Sequence, residues 1–290
     1  MSKVWLITGS SRGLGRALAE AVLAAGDNLV ATARNPDQLA DLSERYGGQV
    51  LTLPLDVTDE AAAAAAVEAC VARFGRLDVL VNNAGFGNVG SIEDTSLADF
   101  RAQIETNLFG TIIMTKAVIA LMRGQGTGRI IQFSSVGGRI GPAGRGAYSA
   151  AKFGVEGFSE VLSKEVAPFG IKVTVIEPGG FRTDFAGAST VLAEGRAEYA
   201  DTVGATVRFQ REYDGRQPGD PAKAAAAVIH IAGLEEPPLR LLLGSDAVRN
   251  VEKADAVRIR SDQEWRAVSV STDFDRDTEV GPMPWEKKAG

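Results

Sequence analysis

Val4-Trp5-Leu6-Ile7-Thr8-Gly9-Ser10-Ser11-Arg12-Gly13-Leu14-Gly15 is the stretch that decides the fold of this 290-residue chain. Four apolar residues follow one another without a polar break, as in a strand buried on both faces of a parallel sheet. Over residues 14–25 the apolar positions recur at helical spacing, and Gly26 ends the run. Between strand and helix, glycines permit a tight turn and close backbone approach. The helix N-terminus beyond them offers unpaired N–H groups to a phosphate. The spacing is G-x-x-x-G-x-G, which differs from G-x-G-x-x-G, and the Lys-Ser/Thr pair of a P-loop is missing. A glycine turn with only a structural task would have the same composition. Its place directly after the first strand is what points to a nucleotide.

Working outward, the same alternation repeats. Apolar runs at 28–33, 50–53, 77–81, 129–133 and 171–176 predict strands, and helical patterns at 36–45, 58–74, 96–122 and 147–168 fall between them. Helix 58–74 has Thr58 as its expected N-cap, and Glu60 or Glu68 on its wet side. Its six consecutive alanines read as packed helix, because alanine is the best helix former. Strand and helix alternating in this way call for a doubly wound, mostly parallel α/β sheet with helices on both faces. After Pro178 the regularity weakens. Residues 181–213 read as a substrate lid with short helices, 220–232 as a further helix, and 239–243 as an edge strand bringing the sheet to about seven. The expected organisation is a domain over 1–244 and a C-terminal extension over 245–290, helical at first and loosely ordered from 273.

Composition removes several function classes. A formal charge of −6 leaves no global basic field for nucleic acid. One cysteine, Cys70, allows no internal disulfide and fits a small core position, and with a single histidine, His230, a zinc site would have to be built from carboxylates. No charged leader precedes the first strand, and no apolar run approaches the ~20 residues of a spanning helix. The expectation is a soluble cytoplasmic protein with neither membrane nor nucleic acid as partner.

Tyr148-Ser149-Ala150-Ala151-Lys152 opens helix 147–168. A tyrosine and a lysine four residues apart share one helix face. A positive charge ~4 Å from a phenol, at an effective dielectric of ~20, contributes about 4 kcal/mol, or roughly three pKa units. That would bring the phenol toward neutrality, where a general acid/base works, while burial acts the other way. On its own the pair equally describes an amphipathic surface.

Taken together, T-G-x-x-x-G-x-G at Thr8 to Gly15, Asn82-Asn83-Ala84-Gly85 after the fourth strand, and Ser135, Tyr148 and Lys152 resemble the short-chain dehydrogenase/reductase family. The resemblance runs in order from about residue 2 to about residue 185. It implies a Rossmann-type fold, a nicotinamide cofactor, and hydride transfer between that cofactor and a carbonyl or alcohol. Tyr148 would be the catalytic acid/base, and Lys152 would lower its pKa and bond the nicotinamide ribose. Ser135 would hold the substrate oxygen, chosen over Ser134 by the family's separation of thirteen residues before the tyrosine. Asn107 would anchor a water in a relay to the lysine. The resemblance also gives cofactor contacts to Gly9, Ser11, Arg12, Gly13, Leu14 and Gly15, with Asp56 and Val57 against the adenine. Asn82, Asn83, Ala84 and Gly85 would flank the adenosine, and Pro178, Gly179, Gly180 and Thr183 would close over the nicotinamide.

The choice of cofactor has a physical argument of its own. An NAD site wants a carboxylate about 20 residues past the glycine loop, and here the second strand ends at Ala33-Arg34. Arg34 and Arg12 can both face a 2′-phosphate, which favours NADP(H) over NAD(H). Against this, both arginines could be solvated surface groups, with Asp37 an imperfect acid. Phe181, Phe185, Tyr199, Phe209 and Tyr213 could wall an apolar pocket with Phe86 and Val136, or form the lid's own small core. Two other functions remain open on the same fold: a dinucleotide sensor or scaffold without turnover, and a lyase or epimerase that recycles its NAD. The family commonly assembles as homodimers or homotetramers through helices matching 96–122 and 147–168.

Overall fold

The computed structural model describes residues 2–185, 187, 189–193, 195–274 and 281, and divides the chain into compact units over 1–251 and 252–290. In the first unit, β1 (Val4–Ile7), β2 (Asn28–Ala33), β3 (Val50–Pro54), β4 (Val79–Asn82), β6 (Gly128–Phe133), β7 (Ile171–Pro178) and β9 (Arg240–Leu243) form one sheet. Its order is β3-β2-β1-β4-β6-β7-β9, and every pairing is parallel. Leu6 of β1 pairs with Val30 on one side and Leu80 on the other. The chain winds outward from β1 to β3, then returns to β4 and winds the opposite way. Loops leaving β1 and β4 therefore diverge, and a crevice opens at the carboxyl ends of these two strands.

Both faces of the sheet are covered, which is why its strands are apolar on both sides. Trp5 and Ile7 pack with Leu18 and Val22 of α1 (Gly13–Ala24) and Val228 of α8 (Pro221–Gly233). On the other face Leu6 and Leu80 meet α3 (Glu60–Phe74), α5 (Gly110–Gln125) and α6 (Gly146–Val166). Cys70 is fully buried in that second layer. Ala63 and Ala66 of the alanine run are buried beside it, while Glu60 and Glu68 stay exposed.

Several expected boundaries move for identifiable reasons. Helix α3 is capped by Asp59 rather than Thr58: the Asp59 carboxylate accepts from the N–H groups of Ala61 and Ala62 at 2.8 and 3.0 Å. Thr58 is engaged elsewhere, its hydroxyl donating to Asp56 Oδ1 at 2.8 Å. The pattern at 36–45 is a 3-10 turn, Pro36–Leu39, followed by α2 (Ala40–Tyr46). The long helix expected at 96–122 begins at α4 (Leu97–Ile104), passes through a π-helical turn, Glu105–Phe109, and continues through α5. This run of 29 residues, Leu97–Gln125, is long and apolar enough to cross a bilayer by length and composition, which corrects the expectation that no such stretch exists. Its residues Met114, Val118 and Met122 are nevertheless wholly enclosed beneath the sheet.

A feature not anticipated from the sequence is a second, two-stranded parallel sheet. It joins β5 (Gly87–Val89) to β8 (Thr190–Leu192). Segment 181–213 also holds a 3-10 turn, Ala197–Tyr199, and α7 (Val203–Tyr213). Helix α9 (Ser245–Val270) begins in the first unit. In the second unit it carries exposed Val257, Ile259, Trp265 and Val268. Of the tail expected to be loosely ordered, residues 275–280 and 282–290 lie outside the described residues.

Candidate active site

The crevice is built around one hydroxyl. Thr8 Oγ1 accepts from the N–H groups of Asn83 and Ala84, both at 3.0 Å, and so joins the loop after β4 to the loop after β1. Asn83 Nδ2 adds bonds to the carbonyl oxygens of Thr8 (3.0 Å) and Gly9 (3.1 Å). This close approach requires glycine at position 9, which has φ +67°, and any Cβ there would stand 2.9 Å from Ala84 Cα. Gly15 is also sterically required. It packs α1 against the Gly9 carbonyl and the Asn83 amide and is not among the residues lining the cavity.

A cavity of about 1210 Å³ occupies the crevice. Gly9, Ser11, Arg12, Gly13 and Leu14 line it from the glycine loop, and Arg34, Asp56 and Val57 from the loops after β2 and β3. Asn83, Ala84 and Gly85 line it after β4, and Pro178, Gly179, Gly180 and Thr183 after β7. Asn82 does not. It is buried, donating to Gln132 Oε1 at 2.8 Å and Thr115 Oγ1 at 3.0 Å. Arg12 and Arg34 are exposed at the cavity edge, and Asp37 lies outside the lining. The Asp56 carboxyl sits below its usual range chiefly because the Thr58 N–H and hydroxyl donate to it, with the Arg34 charge a lesser cause.

Beyond β6 the cavity meets Ser135, Tyr148 and Lys152. Tyr148 and Lys152 lie one turn apart at the start of α6 and are 7% and 5% exposed. Lys152 Nζ donates to the Phe133 carbonyl at 2.7 Å and stands 5.8 Å from the Tyr148 ring centre. The Ser135 hydroxyl accepts from the Gly137 N–H at 3.0 Å, while Ser134 Oγ is buried against Gly138. Asn107 lies in the π-helical turn with no exposed surface. Its Nδ2 donates to the Phe86 carbonyl (3.1 Å) and Gln103 Oε1 (2.9 Å), and its Oδ1 accepts from the Phe86 N–H (3.3 Å). The side chain thus ties the Phe86 segment to the helix, and the locally wider winding places it there.

The electrostatics depart from the expectation that Lys152 brings Tyr148 down. Burial is the largest influence on the phenol and raises its pKa, with the Ser135 hydroxyl and the Arg145 charge pulling against it. Burial also lowers Lys152, to about 8, and Glu156 opposes that shift. Arg145 was not anticipated from the sequence. It lines the cavity, and its guanidinium carbon lies 5.8 Å from the Tyr148 ring centre, as does Lys152 Nζ. Its only sequence signal was a cation three residues before the tyrosine.

Phe86, Val136, Phe181, Phe185, Phe209 and Tyr213 also line the cavity. Phe185 tilts against Tyr148 with ring centres 5.8 Å apart. Tyr199 belongs instead to the small core of the 181–213 segment, with Val89, Val203 and Val207. At the entrance to α9, Asp246 Oδ2 accepts from the Gly180 N–H at 2.8 Å, so that helix helps hold the loop after β7. Among the described residues no cluster of His, Cys, Asp and Glu could hold a metal ion.

A seven-stranded parallel Rossmann-type sheet with this crevice defines a class of dinucleotide-binding proteins, and comparison places the chain within it. A family model described as short chain dehydrogenase matches residues 3–191. Oxidoreductase BOA17 of Botryotinia fuckeliana is 48% identical over 273 residues, covering 94% of this chain and all of that one. The crystal structure of a short-chain dehydrogenase from Streptomyces avermitilis superposes with a TM-score of 0.89 at 44% identity, covering 94% of this chain and all of the other. An alcohol dehydrogenase from Thermococcus sibiricus, solved with 5-hydroxy-NADP, gives a TM-score of 0.69 at 26% identity over 84% of this chain and 96% of that one. The chain belongs to the short-chain dehydrogenase family. It is therefore an oxidoreductase of a family that binds nicotinamide cofactors.

Proposed function

We propose that this protein interconverts a carbonyl compound and its secondary alcohol using NADP(H). The observation that carries the reading is the meeting of Ser135, Tyr148 and Lys152 on one cavity whose other end presents Arg12 and Arg34. The residues present fit a dinucleotide. The glycine loop leaves room for close backbone approach, and the Arg12 and Arg34 guanidiniums that line the cavity are suited to pair with a 2′-phosphate. The bound cofactor would supply or accept the hydride. Ser135 would hold the carbonyl oxygen, and Tyr148 would pass its phenolic proton to that oxygen. The charge on Lys152 would stabilise the phenolate left behind, and Asn107 would keep the Phe86 wall in place.

The homo-oligomer reading rests on Phe109, Phe153 and Val161, exposed by 46, 44 and 55% on the π-helical turn and α6.

Two substitutions test the chemistry. Tyr148→Phe should abolish turnover while NADPH binding, followed by calorimetry, stays within a few-fold of the wild type. Retention of most activity would remove the tyrosine from its role. Arg34→Asp should cost roughly 10–100-fold in the preference for NADPH over NADH, the value of a lost charge-assisted contact. An unchanged preference would refute the phosphate argument.

A further inference from the structure

Arg145 occupies a position that local structure disfavours. It is the N-cap residue of α6, where Ser, Thr, Asp or Asn would bond the free N–H groups, and its side chain makes no such bond. A cation there also faces the positive end of the helix dipole, an unfavourable arrangement over 21 residues of helix. Burial lowers its pKa, and among the described residues no carboxylate figures in the groups acting on it. One amine, Nη2, donates to the neutral Gln210 Oε1 at 2.7 Å. The other, Nη1, is buried with no hydrogen-bond partner among the described residues. It stands near Gly87 and Phe185, beside Tyr148.

A half-buried guanidinium with an enclosed, unused donor and no counter-ion among the described residues is costly unless something else supplies the negative charge. The cofactor phosphates belong across the switch point with Arg12 and Arg34, and an oxidised nicotinamide would add positive charge. We infer that Arg145 binds a carboxylate of the substrate, so that the enzyme acts on oxo acids and the corresponding hydroxy acids. Its place beside Tyr148 sets that carboxylate within a few bonds of the reacting carbonyl. The carboxylate makes and breaks no covalent bond, and the carbonyl chemistry is unchanged. This assignment rests on the oxidoreductase reading above and adds a substrate class to it.

The test compares kcat/KM with NADPH for pyruvate, acetoacetate and levulinate, each against its methyl ester. The wild type should prefer at least one acid over its ester. Arg145→Met, and Arg145→Gln as a second, more polar variant, should reduce that acid-to-ester ratio by roughly 10–100-fold, and Arg145→Lys should retain most of it. Changes in folding or in Tyr148 affect acid and ester alike and cancel in the ratio. An unchanged ratio in the variants, or a wild type that prefers the esters, overturns the inference. If no carbonyl is reduced, calorimetry with butanoate and butanamide decides. Butanoate binding lost in Arg145→Met upholds the carboxylate site and removes the oxidoreductase reading, whereas butanoate binding that is absent or unaffected removes the site.

Discussion

Tyr148 and Lys152 are opposed by the same force. Burial disfavours the charged form of each, raising the phenol and lowering the ammonium to about 8. The phenol therefore stays protonated through neutral pH, the form a carbonyl reduction needs. Lys152 keeps its charge only below about 8. Reduction should be flat across neutral pH and fall as pH rises through about 8, which a kcat/KM profile would reveal. A profile still flat at pH 9 would take Lys152 out of the proton chemistry. The motif residues were legible because their spacing is constrained by the strands and helices that hold them. Arg145 was not, since one arginine ahead of a helix has no periodicity to read, and its meaning lies in partners from β5 and α7.

At the scale of elements, the strands of the main sheet were read to within two residues at either end. A strand covered on both faces must be apolar throughout, and glycines or polar turns mark its ends. Helix caps were less accessible. Thr58 and Asp59 are both good cap residues, and Asp56 decides between them by engaging Thr58. Asp59→Ala should therefore destabilise the protein by about 1 kcal/mol, measured by urea unfolding, with little effect from Thr58→Ala on α3 itself. The π-helical turn was hidden because Glu105–Phe109 carries a helical pattern on either side, and one extra residue per turn barely disturbs it. The pairing of β5 with β8 was equally hidden. Three-residue strands a hundred positions apart leave no local signature.

For the whole molecule, alternation of strand and helix was enough to give sheet, layers and crevice, while the placement of lid side chains was not. Tyr199 turned inward to a small core and Phe185 toward Tyr148 although their local sequences look alike. Assembly belongs to this scale as well. If copies associate through the apolar surface at Phe109, Phe153 and Val161, the double substitution Phe153→Glu, Val161→Glu should shift the mass in light scattering to that of a monomer. An unaltered mass would place any interface elsewhere. The bond from Thr8 to the backbone beyond β4 bears on the molecule in one more way. The two lips of the crevice cannot drift apart independently, so the slot has its width before any ligand arrives. A ligand entering it loses its own freedom but need not order the walls, and affinity gained in this way is preorganisation rather than extra contact.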